Sequence, residues 1–179
     1  MSYGRFLFVF VFAALLTISS CSSTVPSSTP GPASPTQTAK RFSPAELAKL
    51  RWIEGSWRGT GDVETPFYER YHFENDSTLV VDSFADEKFS KISETSRFEL
   101  KDGQFGNVGE GARWAATAID DYSISFEPTA KAQNSFRWEH ASASPQPNEW
   151  KAVLWWPAAN NKAAGQRIYR MERWPPPKP

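Results

Sequence analysis

The stretch Arg51-Trp52-Ile53-Glu54-Gly55-Ser56-Trp57-Arg58-Gly59 decides how the rest of the chain is read. Before it, apolar residues recur at helical spacing. After it, apolar and polar residues alternate with a period of two, the mark of half-buried strands. Upstream, Ser43-Pro44-Ala45-Glu46 supplies a serine N-cap, a proline at the first helical position and a glutamate at the third. A short helix is therefore expected to begin there and to end by Gly55. Leu47, Leu50 and Ile53 fall on one face of it, so its expected place is as a plug at one end of whatever the strands build.

Ten strands are expected downstream, over about 56–64, 66–75, 77–85, 91–101, 104–110, 113–119, 122–128, 134–142, 149–156 and 165–174. The turn signals between them are Thr65-Pro66, Asn75-Asp76, Asp102-Gly103, Asp120-Asp121, Pro128, Pro145-Gln146-Pro147 and Asn160-Asn161. Gly103 to Gly111 lies between strands and precedes no helix, so it reads as a bulged or bent pair rather than a phosphate loop. Consecutive hairpins without intervening helices predict an all-β fold, an up-and-down antiparallel β-barrel of about ten strands, which also removes exposed edges. The tail after Trp174 is proline-rich and cannot continue a strand.

Lys plus Arg and Asp plus Glu both number 20 in the 179 residues, which leaves no basic footprint for nucleic acid. Aromatic residues make up 15% of the chain, with eight Trp and thirteen Phe, a composition suited to strands and wide interiors. The single cysteine, Cys21, excludes an internal disulfide framework. It follows Arg5, an apolar run from Phe6 to Ile18, and Ser19-Ser20. That is the layout of an export signal, shorter than the roughly 20 apolar residues a bilayer span requires. Residues 22–39 carry no charge and are mostly Ser, Thr, Pro, Ala and Gly, the composition of a disordered tether. The domain organisation expected is a signal peptide over 1–20, Cys21 and a tether through 42, a barrel over 43–174 and a Pro-rich tail over 175–179.

Two resemblances add to this. Ile18-Ser19-Ser20-Cys21 resembles the bacterial lipobox, which implies acylation of Cys21, a membrane partner reached through an N-terminal lipid anchor and, with Ser22 following, the outer membrane facing the periplasm. Gly55-Ser56-Trp57 behind a short helix resembles the Gly-x-Trp signature of lipocalins and the wider calycin superfamily. The fuller opening, from Leu50 through Trp52 and Gly55 to Trp57 and Gly59, is similar to bacterial lipocalin-like domains of unknown function and to nitrobindin-like barrels. The resemblance implies that Trp57 packs across the barrel floor under an arginine of the last strand. That strand offers Arg167, Arg170 and Arg173. Spacing does not choose among them, and Arg173 is grouped with Trp52, Gly55 and Trp57 as the structural signature. Nitrobindin-like barrels ligate haem through a histidine near the chain end; the last strand here has none, so no cofactor is expected.

Candidate binding residues follow from strand parity. Phe136, Trp138 and His140 share one face of their strand, and Phe67, Glu69, Tyr71 and Phe73 share one face of theirs. Tyr71, Trp138 and His140, with Glu69, are the expected cavity lining. For His140 the plainer expectation is a histidine satisfied by a neighbour near the rim. For Glu69 it is a structural ion pair with Arg97 or a last-strand arginine, because an inward carboxylate needs a partner or must become neutral. Trp155 or Trp156 is expected at a rim or beneath the helix. His72 reads as a surface residue. With two histidines at unrelated spacing, no metal site is expected, and no constellation marks a catalytic centre. The function expected is a small apolar or amphipathic ligand held in an envelope-anchored barrel. The alternative is an envelope interaction or scaffolding protein whose barrel is filled by its own side chains.

Overall fold

The computed structural model describes residues 40–62, 65–141, 144, 146–159 and 163–176. The expected signal peptide, Cys21 and nearly all of the tether lie outside the described residues.

Among the described residues, ten antiparallel strands close into a barrel. They are β1 (Gly55–Thr60), β2 (Phe67–Asn75), β3 (Thr78–Phe84), β4 (Ile92–Lys101), β5 (Gln104–Asn107), β6 (Arg113–Ile119), β7 (Ser123–Ala130), β8 (Ser135–Glu139), β9 (Glu149–Trp156) and β10 (Gly165–Arg173). Each strand pairs with its sequence neighbours, and β1 closes the ring by pairing with β10, Trp57 opposite Arg173. The all-β, up-and-down antiparallel barrel of about ten strands is therefore the fold.

Ahead of β1, α1 (Pro44–Leu47) is a single α turn that tightens into a 3-10 helix over Ala48–Ile53. Its start is a capping box: the Ser43 backbone N–H donates to Glu46 Oε2 at 3.0 Å, and the Glu46 N–H donates to Ser43 Oγ at 3.4 Å. The tightening suits the sequence. Leu47, Leu50 and Ile53 are three residues apart, and three residues complete one 3-10 turn, so all three point into the core, each at most 1% exposed. Phe42, expected in the tether, is already core, and its N–H donates to the Gly103 carbonyl at 2.7 Å.

The turns follow their local chemistry. Asp102 and Gly103 both have positive φ, 51° and 79°, as the two central residues of a tight hairpin require. Asn75 accepts from the Ser77 N–H and Asp120 from the Tyr122 N–H, each at 2.8 Å. Pro128 departs from the expected turn. It lies within β7 opposite Trp114, next to a register shift between Arg113 and Trp114. An irregularity tolerates a residue with no N–H to give the ladder. The narrowest seam is β5–β6, registered only by Gly106 opposite Ala115. A Cβ on Gly106 would stand 2.3 Å from the Trp114 carbonyl oxygen, so a side chain there would push the two backbones apart.

The strands give the barrel two unlike halves. The helix covers the end where β1 begins, and there the interior is filled: Trp57, Trp150, Phe105, Phe126, Leu79, Ile124 and Met171 are all at most 1% exposed. Toward the other end the interior side chains no longer meet, and a cavity remains.

Candidate functional site

The covered end is built from the signature residues. Trp57 Nε1 donates to the Ile53 carbonyl at 2.7 Å, tying the floor to the helix. The Arg173 guanidinium lies 4.2 Å from the Trp57 ring centroid. It also donates to the carbonyls of Glu54 (2.7 Å) and Pro147 (3.1 Å). Arg173 is thus the last-strand arginine of the three. Arg170 points outward beside Glu149, and Arg167 is exposed at the opposite rim. Gly55 makes the stack possible: its φ is +126°, and a Cβ on it would stand 2.1 Å from Arg173 Nη1.

Above this floor lies a cavity of about 330 Å³, at the small end of the range for ligand sites. Tyr71, Phe98, Trp114, Phe136, Trp138 and Trp150 provide its aromatic wall. Tyr71 and Phe98 meet Trp138 edge-on at 5.6 and 5.3 Å, and Trp138 continues to Trp150 at 6.0 Å. Polar groups cluster on one side, where β2, β3 and β4 bring Glu69 opposite Ser83 and Ser83 opposite Glu94. Asn107 stitches the loop at the mouth, donating to the Ala112 carbonyl at 3.0 Å and accepting from the Trp114 N–H at 2.7 Å.

Glu69 is the chemically unusual group. It is 7% exposed, accepts from the Tyr71 hydroxyl at 2.6 Å and from Ser83 Oγ at 3.5 Å. Burial, opposed by these two hydrogen bonds and aided by the charge of Glu94, pushes its carboxyl up to about 7. The same burial, with the adjacent Glu69, pushes the Tyr71 phenol well above its ordinary value. The expected ion pair is corrected here. Arg97 sits on the outer face with Glu74 and Glu99, because it is one residue out of phase with the inward Ser96 and Phe98. A carboxyl exchanging its proton near neutrality can accept a hydrogen bond in one state and donate one in the other.

Three of the four expected lining residues, Glu69, Tyr71 and Trp138, border the cavity. His140 does not. It lies one residue past β8, whose inward face descends from Phe136 through Trp138 toward the covered end. The ring therefore sits below the cavity, 4.5 Å from Trp52 and 5.4 Å from Tyr122. Its Nε2 is 3.3 Å from the Asp121 carbonyl. Buried Nδ1 of His140 and the indole nitrogens of Trp52 and Trp150 have no hydrogen-bond partner among the described residues. His72 is half exposed on the outer face near Asp82. Trp155 and Trp156 stand at the open rim, far from the helix, because β9 runs away from the floor; Trp150 is the tryptophan of that strand that packs toward Trp52 (6.0 Å).

Sequence reasoning passes over Ser83, Glu94, Asn107 and Trp114. Counting back from the Asn75–Thr78 pair would set Phe84 opposite Glu69; the register shift between Phe73 and Asn75 brings Ser83 there instead, and Glu94 lies beyond a second turn and a further shift next to Ser83. Among the described residues no group of three or more His, Cys, Asp or Glu side chains is placed to hold a metal ion. No protein-family model matches this chain, and no curated protein matches it significantly.

Proposed function

We propose that the chain is a lipid-anchored envelope protein whose lipocalin-like barrel binds a small apolar or amphipathic molecule, on the periplasmic side of an outer membrane. The observation that carries the binding role is the cavity of about 330 Å³, left open beside a polar row in a barrel whose other half is packed. A barrel of this kind can fill its interior with side chains. Space bordered by aromatic rings and a few convergent polar groups is what a small-molecule site requires. The anchor rests on the Ile18-Ser19-Ser20-Cys21 tetrapeptide and the apolar run before it. Binding rather than catalysis is our reading because the polar row holds carboxyls and hydroxyls with no Cys, His or Lys among the described lining residues.

Native mass spectrometry of the protein extracted from its own host tests both parts. The expected species begins at an acylated Cys21 and carries one small molecule of constant mass. A chain that is unacylated removes the anchor, and a barrel that is empty under gentle extraction removes the ligand. The packed half of the barrel favours a second reading, an envelope scaffolding protein, which an empty barrel with a stoichiometric protein partner would support.

A further inference from the structure

We infer that the cavity selects ligands bearing a cationic amine, seating the ammonium group at Glu69 and Glu94 and its apolar body among the aromatic rings. The inference rests on the ligand-binding reading above and adds the headgroup. Glu69, Ser83 and Glu94 are successive cross-strand partners, so two carboxyls and a hydroxyl form one row on an otherwise largely apolar wall. Among the described residues that line the cavity there is no Lys, Arg or His.

Four arginines of β1, β2, β4 and β10 are engaged elsewhere. Arg58 bonds Glu172, Arg70 lies over Phe84 and Phe89, Arg97 pairs with Glu74, and Arg173 covers Trp57. Arg167 shares the inward register of β10, but it is exposed at the open end, outside the lining, and donates to the Tyr169 hydroxyl at 3.1 Å. Glu69 is thus a buried carboxyl whose partners are hydroxyls, and a buried carboxylate without a cation is costly. A ligand ammonium supplies the missing charge, whereas a ligand carboxylate would meet like charge. The rings of Tyr71, Phe98 and Trp138 add the attraction of aromatic faces for cations.

The groups facing Glu69 are Tyr71 on its own strand, Ser83 on β3, Glu94 on β4 and the non-titrating Trp57 opposite it on β1. Raising the pH through about 7 ionises Glu69. An alkylammonium keeps its charge over that range, as a lysine side chain does, so amine binding should strengthen as pH rises.

The test is calorimetric titration of the full chain, purified in mild detergent, with phenethylamine, phenethyl alcohol and hydrocinnamate, three probes sharing a ring and a short chain. At a pH well above that of Glu69, the amine should bind about tenfold more tightly than the alcohol, the margin of a charge-assisted over a neutral hydrogen bond, with hydrocinnamate weakest. Glu69→Gln should remove most of the amine's advantage over the alcohol, and Glu94→Gln should narrow the gap. Should Glu69→Gln fail to fold, the Glu94→Gln ratio and the pH series on the unaltered chain still decide. Alcohol binding equal to or tighter than the amine, or a ratio unmoved by both substitutions and by pH, overturns the inference and leaves the cavity a ligand site. Absence of binding by all three probes overturns the inference together with the ligand-binding reading.

Discussion

Glu69 makes the stability of this barrel depend on pH in an unusual direction. A carboxylate held by a cation stabilises a fold at neutral pH and loses that contribution in acid. Here burial dominates and raises the carboxyl from 4.5 to about 7, so the folded chain holds its proton more tightly than the unfolded chain does. The contribution is fully favourable below the unfolded value of about 4.5, declines as pH climbs toward 7, and is gone above it. A tenfold difference in proton affinity between the folded and unfolded chains is worth about 1.4 kcal/mol. The change across that window is therefore about 3 kcal/mol, a large share of the roughly 5–15 kcal/mol typical of a domain. Glu69→Gln keeps an acceptor for the Tyr71 hydroxyl and removes the titration. Urea unfolding of both chains, followed by tryptophan fluorescence at intervals from about pH 4 to pH 8.5, isolates the effect as a difference between them. The unaltered protein should lose about 3 kcal/mol relative to Glu69→Gln as pH rises. A difference that stays flat within about 0.5 kcal/mol, or an unaltered protein that loses stability relative to Glu69→Gln as pH falls, would show that the carboxyl is solvated or paired and would refute the reasoning.

Two further substitutions probe the frame around the cavity. Gly55→Ala places a Cβ 2.1 Å from Arg173 Nη1 at a φ of +126°; it should cost about 2–4 kcal/mol in urea unfolding, and a loss below about 1 kcal/mol would mean that the arginine stack does not depend on the glycine. Gly106→Ala meets the Trp114 carbonyl at 2.3 Å and should cost about 1–3 kcal/mol. Its amide exchange should quicken in β5 and β6 while β2 and β3 keep their protection, and uniform loosening would count against a local seam.

The sequence alone determined the architecture, for a physical reason: strand alternation, turn residues and the capped helix are encoded within a few residues of where they act. Asp102-Gly103, Asn75 and the Ser43–Glu46 box all have their partners within a handful of positions. The expected boundaries match closely for β2, β3, β4, β6, β9 and β10, whereas β7 runs through Pro128, where a turn is expected. The choice of Arg173 waited on barrel closure, because only the register of β1 against β10 sets it opposite Trp57. Parity likewise gave Glu69, Tyr71 and Trp138 an inward face but carried no information about depth. His140 shares the face of Trp138 but sits one step further toward the covered end, against Trp52 rather than in the cavity. The pairing of Glu69 with hydroxyls instead of arginine, and its neighbour Glu94 across two hairpins, exist only once the strands are in register. A side chain's periodicity is a property of its own strand, whereas its height, its neighbours and the charge around it belong to the closed barrel, and those are what the cavity's chemistry depends on.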